Sequence, residues 1–124
     1  METRTGESAR MTYLNGLREG TLLYQFDRHA GVPVFFPREV GPSGLREALE
    51  WRRSSGRGVV YSITVMQPKG EAPFNVALIT LEEGFRMMST VISDKPGEIV
   101  IGQSVEAAYD ELAGVPRIIF RPVQ

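Results

Sequence analysis

Apolar residues recur along this chain in two rhythms, and the change between them falls at Gly56. The first segment is helical in spacing. Met11, Leu14 and Leu17 recur every three residues between Ser8 and Glu19. Ser8 is placed to cap the start, and Gly20 to end the run in a left-handed turn. Asn15 and Gly16 weaken the helix, so this is either a frayed amphipathic tail or a helix that docks on the domain or on a partner. Thr21 to Phe26 and Val32 to Phe36 are short apolar runs around the polar stretch Asp27-Arg28-His29-Ala30-Gly31, a spacing that predicts a small hairpin. Pro37 and the cluster Gly41-Pro42-Ser43-Gly44 break regular structure. Leu45 to Arg53 reads as a helical turn or as a strand, with Leu49 and Trp51 at period-two spacing, and Ser54-Ser55-Gly56 ends it either way.

After Gly56 the pattern is that of strands alone. Val59 to Met66, Asn75 to Leu81, Arg86 to Ile92, Ser104 to Tyr109 and Arg117 to Phe120 are rich in branched and aromatic residues, as a half-buried pleated surface prefers. The breaks between them, Gln67 to Pro73, Glu82-Glu83-Gly84, Ser93 to Gly102 and Glu111 to Pro116, are turn-like, and Glu83-Gly84 suits a tight hairpin. Strands with this spacing predict a mainly β fold with a small closed or partly closed barrel, such as the five-stranded oligomer-binding (OB) fold.

Composition narrows the function. The 124 residues suffice for one domain with one core, and 42% hydrophobic with 23% charged residues is ordinary globular usage. Fourteen basic and fifteen acidic residues leave a net charge of −1, which speaks against a dedicated nucleic-acid binder or a polybasic membrane anchor. There is no cysteine, hence no disulfide and no thiolate for a structural zinc site. No apolar run reaches the roughly 18 residues a membrane helix needs. Met1 to Arg10 is polar with both charge signs, unlike a signal peptide. A soluble cytoplasmic protein is the expectation.

Catalytic constellations are lacking. The single histidine, His29, has no triad around it, and the serines have no base in local context. The carboxylate pairs Glu82-Glu83 and Asp110-Glu111 fall at expected turns and read as solvated hairpin residues. Gly56-Arg57-Gly58 is too short to cradle a pyrophosphate by itself. Arg57 is either a surface residue in a strand-entry bulge or a guanidinium aimed at a phosphate or carboxylate. Arg86, Arg117 and Arg121 pose the same choice. Phe85 and Met87-Met88 read as core and rim residues, although methionine surfaces also receive acyl chains or partner helices. Trp51, the only tryptophan, suits a packed junction or an interface anchor.

The ordered motifs resemble the DUF35 family, in which a rubredoxin-like zinc ribbon precedes an OB-fold domain described as acyl-CoA-associated. They are Gly20-Thr21-Leu22 after the helix, Phe35-Phe36-Pro37-Arg38, Trp51, and Ser55-Gly56-Arg57-Gly58-Val59-Val60-Tyr61-Ser62. Further on come Val76 to Gly84, Arg86 to Ser89, Ile101-Gly102-Gln103-Ser104-Val105-Glu106 and Pro116-Arg117-Ile118-Ile119-Phe120-Arg121-Pro122. The resemblance implies an N-terminal helical segment over 1–20, a ribbon over 21–54 and an OB-fold domain over 55–124. By its register the four ribbon cysteines would fall at Asp27, Ala30, Gly41 and Gly44. Alanine and glycine supply no ligand, and Asp27 with His29 supply two at most, short of the four that structural zinc takes. We therefore expect a metal-free ribbon held by packing of Tyr24, Phe26, Val34, Phe35 and Phe36, at roughly 25 cal/mol per Å² of buried apolar area.

The resemblance further implies a non-catalytic accessory protein that binds a thiolase-like or lipid-transfer-protein-like enzyme and helps handle acyl-CoA. Acyl-CoA is then the one ligand to consider, with no cofactor and no metal, and a homo-oligomer is admitted. Trp51, Arg57, Tyr61, Arg86, Met88 and Arg117 are the residues put forward for ligand or partner binding. The competing reading, a single-strand nucleic-acid platform, needs stacked aromatics and a cationic groove on the barrel.

Overall fold

The N-terminal helix forms where the apolar rhythm and both caps coincide. In α1 (Ala9–Arg18), Ser8 Oγ accepts from Met11 N at 3.1 Å, and Gly20 adopts a φ of 73°. That left-handed residue lets Thr21 N reach Gly16 O at 2.9 Å, a glycine-terminated helix end. Glu39 adds an acceptor that local pattern does not announce, its Oε2 taking Ala9 N at 2.7 Å. The structure, a computed structural model, describes residues 7–123. The first six residues of the segment expected over 1–20 lie outside the described residues.

The expected hairpin is β1 (Leu23–Asp27) with β2 (Val32–Val34), joined across Asp27 and Val32. Residues 45–53 resolve as both alternatives in turn, a short 3₁₀ segment at Arg46–Ala48 followed by β3 (Leu49–Arg53). β3 pairs antiparallel with the free side of β1, giving a small sheet in the order β2-β1-β3.

The second sheet holds β4 (Arg57–Met66), β5 (Phe74–Leu81), β6 (Arg86–Ser89), β7 (Ser104–Leu112) and β8 (Val115–Pro122) in the order β6-β5-β4-β7-β8. All its neighbours are antiparallel. A parallel bridge between Val91 and Phe120 joins its two ends, with Ile92 N to Phe120 O at 2.8 Å and Phe120 N to Thr90 O at 3.0 Å. A curled five-stranded antiparallel sheet closed by one parallel contact is an OB-fold barrel, as expected. The strand expected over Arg86 to Ile92 stops at Ser89, because Thr90 to Ile92 leaves β5 to meet β8. The strand expected to end at Tyr109 runs on to Leu112, because Ala113 and Gly114 both take positive φ (53° and 80°) and turn the chain within two residues.

Gly56 and Gly58 admit β4 to the barrel. Gly56 has a φ of 78°, and a Cβ on Gly58 would lie 2.5 Å from Thr80 O, so only glycine lets β4 approach β5 this closely. Beyond them, the ladder skips Tyr61: Val60 pairs with Ile79 and Ser62 with Leu78. This bulge turns Tyr61 outward.

One buried cluster spans the whole molecule, from Leu17 of α1, through Leu22 and Tyr24, to Val60, Ile79, Leu81 and Phe120 of the barrel. Phe85, in the β5–β6 turn, stacks on Tyr24 with ring centroids 4.8 Å apart and on Phe35 at 5.1 Å, while Tyr13 meets Phe35 edge-on at 5.5 Å. The set expected to hold the ribbon therefore divides. Tyr24 and Val34 are buried and Phe26 and Phe35 pack on the core, Phe26 also meeting the Arg52 guanidinium 3.8 Å from its ring centre. Phe36 is 59% exposed, contrary to expectation: β2 ends at Val34, and the Phe36 ring lies against Phe35 at 4.8 Å with its remaining surface open.

Candidate functional site

β5 alternates strictly, with Asn75, Ala77, Ile79 and Leu81 inward and Phe74, Val76, Leu78 and Thr80 outward. Its neighbours continue the outward face. Met88 lies opposite Leu78 on β6, Arg86 opposite Thr80, Met66 opposite Phe74 on β4, and Val59 opposite Thr80. The outer surface of β4–β6 is thus apolar from Met88 and Leu78 through Val76 to Phe74 and Met66, where a solvated strand face would be polar. Met88 is 58% exposed and Phe74 49%. At the other end of the face the Arg86 guanidinium lies 3.6 Å over the Tyr61 ring, with Nε donating to Thr80 Oγ1 at 3.3 Å. This stack flattens both side chains onto the sheet, the face of the ring attracting the Arg86 cation. The backbone bond from Gly102 N to Val60 O, at 2.8 Å, brings the exposed Val100-Ile101 loop beside it.

Where the face meets α1, an open groove of about 530 Å³ runs between Tyr13 and Leu14 on one side and Phe74, Met88 and Ile118 on the other, with Phe36 at its lip. The Tyr13 hydroxyl is pushed up to about 12 by burial, with the Tyr109 phenol adding to the shift, so it stays neutral.

The six proposed residues separate into groups. Tyr61, Arg86 and Met88 lie together on the outer face, a juxtaposition the barrel assembles from two strands. Arg57 sits at its margin, opposite Glu106 in register, beside a shallow apolar cleft with Val59, Thr80 and Val123. Arg117 lines the groove with Met88 but is held by Asp110: its Nε and Nη2 donate to Asp110 Oδ1 and Oδ2 at 2.9 and 2.7 Å across the β7–β8 pair. This fork holds the Asp110 carboxyl below its ordinary range. Trp51 belongs to the other sheet, paired with Gln25, and lines a polar cleft of about 180 Å³ with Arg38, Glu39 and Arg46.

The acidic pairs are not simply solvated turn residues, as sequence suggested. Asp110 is a strand residue because the hairpin tip lies further on. Glu83 reaches back across the molecule, accepting from Ser54 Oγ at 2.6 Å and Ser55 N at 2.8 Å. Serines in the linker before β4 were the one visible sign of an acceptor nearby.

The four ribbon positions do not fit a zinc ion. Both Asp27 oxygens accept backbone N–H groups, from His29 and Ala30 on one and from Ser43 on the other. The side chains of Ala30, Gly41 and Gly44 carry no atom that could ligate a metal. Among the described residues no group of three or more His, Cys, Asp or Glu is placed to hold a metal. Among them too, no helix is long and apolar enough to cross a membrane.

Comparison with known proteins agrees with this architecture. Residues 51–110 match the family described as "ChsH2, C-terminal OB-fold domain". A "DUF35 domain-containing scaffold protein" of Methanocaldococcus jannaschii is 39% identical over 83 residues, covering 61% of this chain and 59% of the relative. A protein of the same description from Methanothermobacter thermautotrophicus is 37% identical, covering 61% of this chain and 62% of the relative. These matches support the resemblance to the DUF35 family. The "3-oxo-4,17-pregnadiene-20-carboxyl-CoA hydratase alpha subunit" of Mycobacterium tuberculosis is 32% identical over 84% of this chain, which spans only 31% of that subunit. The chain thus covers less than two thirds of each of these relatives.

Among solved structures, a chain of an "Ltp2-ChsH2(DUF35) aldolase" superposes with a TM-score of 0.79 at 23% identity, over 97% of this chain and 98% of that one. A DUF35 protein of unknown function from Sulfolobus solfataricus gives 0.66 at 14% identity, over 93% and 85% of the two chains. These two likenesses establish the fold.

Proposed function

We propose that this chain is a non-catalytic accessory module that docks on an acyl-CoA-handling enzyme of thiolase-like or lipid-transfer-protein-like type through the outer face of β4–β6. The observation that carries the reading is the apolar strip from Met88 to Met66. OB folds take their ligands on the face of their second and third strands, here β5 and β6. In this chain that face offers exposed methionine and aromatic surface in place of a cationic track, the composition of a protein interface core. Two relatives carry the description of scaffold proteins, a third is a subunit of an acyl-CoA hydratase, and a structural neighbour is part of an aldolase. Arg57, at the margin of the face, is the residue best suited to a CoA phosphate.

Co-expression with a thiolase-fold enzyme tests the reading. The pair should co-purify, and Met88→Glu or Phe74→Glu should abolish co-purification while the free chain stays folded. Parallel titration with CoA and a fluorescent oligonucleotide separates the ligand classes, and tight salt-sensitive oligonucleotide binding would overturn the proposal.

A further inference from the structure

Asp27 is fully buried at the point where the β1–β2 turn meets the turn at Gly41–Gly44. Its Oδ1 accepts from His29 N at 3.0 Å and Ala30 N at 2.9 Å, and its Oδ2 accepts from Ser43 N at 2.9 Å. The first two donors follow β1 directly, and the third lies 16 residues on, so one carboxylate joins two separate turns. Each turn is also closed by its own backbone, Gly31 N to Asp27 O at 2.7 Å and Gly44 N to Gly41 O at 3.0 Å. Gly41 leaves the room this needs: a Cβ there would lie 2.7 Å from Asp27 Oδ2 and 2.8 Å from a Leu49 methyl.

The four positions at which the ribbon's cysteines would stand are Asp27 and Ala30 in one turn and Gly41 and Gly44 in the other. They bracket this carboxylate. A metal ion in such a ribbon holds two turns together by drawing thiolates from both. A buried anion can hold the same two turns by drawing in their N–H groups, provided those donors compensate its desolvation. Three of them do so here. The Ala30 N–H first, with further bonds from Ser43 and His29, holds the carboxyl at about 2 against the cost of burial.

We propose that the Asp27 carboxylate takes the place of the ribbon's zinc, clasping both turns through backbone N–H groups and leaving the ribbon independent of metal. The loss of four thiolates is thereby coupled to the gain of one acid at the first of their positions, with glycine required at the third.

Metal analysis and hydrogen exchange on the full chain test this. The purified protein should hold no stoichiometric zinc, and its melting temperature should be unchanged by excess EDTA or by added Zn²⁺. The amides of His29, Ala30 and Ser43 should be protected in the wild type. They should exchange on the order of ten-fold faster in Asp27→Asn, while barrel amides such as Ile79 keep their protection. Stoichiometric zinc uptake with a rise in melting temperature would overturn the proposal, as would equal protection of the three amides in both proteins. Should Asp27→Asn fail to fold, the wild type decides: free exchange at His29, Ala30 and Ser43 overturns the clasp, and barrel-like protection supports it.

Discussion

The Asn75 carboxamide pairs with Val91 as a neighbouring strand would: Oδ1 accepts from Val91 N at 2.8 Å and Nδ2 donates to Val91 O at 2.9 Å. Thr90 Oγ1 adds bonds to the Asn75 carbonyl at 2.8 Å and to Oδ1 at 3.0 Å. One buried side chain thus satisfies the backbone where the chain leaves β5 and crosses to β8, the step that closes the barrel. Asn75→Ala leaves a buried N–H and C=O without partners and should cost about 2–3 kcal/mol in denaturant unfolding. A loss below about 0.5 kcal/mol would show that the crossing needs no such support.

Glu83 ties the linker before β4 to the β5–β6 turn through Ser54 and Ser55. Glu83→Ala should destabilise the protein by about 1–2 kcal/mol, as expected for two bonds to a charged acceptor. Limited proteolysis should then cut first at residues 54–56, and an unchanged cleavage pattern would argue against this latch.

Gly58→Ala places a methyl against Thr80 O and should cost at least about 2 kcal/mol or prevent folding. Gly97 has open space where its Cβ would be, so Gly97→Ala should stay within about 0.5 kcal/mol of the wild type. Thermal melts of the two variants make the comparison, and equal losses would refute the close approach of β4 to β5.

Asp27 has its pKa lowered from the ordinary 3.8 to about 2, chiefly by the Ala30 N–H, and Asp110 is lowered by Arg117. A depressed folded-state pKa adds stability that is complete above the unfolded value. For Asp27 it is lost as pH falls from about 4 toward 2, where the folded carboxyl protonates. The melting temperature should therefore decline across this window, and Asp27→Asn should flatten the decline. A variant with the wild-type slope would remove Asp27 from the acid transition.

Met88 and Phe74 are exposed on the outer face, so Met88→Glu and Phe74→Glu should each change stability by no more than about 0.5 kcal/mol. If that face is the interface, either variant should weaken partner binding by at least about ten-fold, since buried apolar anchors dominate such contacts. Isothermal titration with the partner enzyme reads both effects, and wild-type affinity would move the interface elsewhere.

Much of the fold was legible along the chain because its signals are local. Ser8 and Gly20 announced the helix ends, the polar stretch from Asp27 announced the first hairpin, and β-branched runs announced the five barrel strands. The Ser55-Gly56-Arg57-Gly58 motif was informative for a physical reason: one glycine supplies a positive φ and the other a missing Cβ. Candidate residues were legible only in part. Tyr61, Arg86 and Met88 could be picked out as types, yet nothing in their spacing put them on one surface. Arg117 looked equally free until β8 placed it opposite Asp110. Apolar character alone does not reveal that Phe35 turns into the core while Phe36, its neighbour, stays 59% exposed.

The sequence by itself determined the elements, the OB-fold class and the loss of the ribbon's thiolates, since each depends on residue type at short range. Only the tertiary structure decided what the loss meant. The donors that satisfy Asp27 are backbone N–H groups, which every residue but proline carries, and the third arrives from a separate turn. The same holds for Asn75 and Glu83: their partners are specified by where the chain returns in space, and no pattern of side chains along it records that.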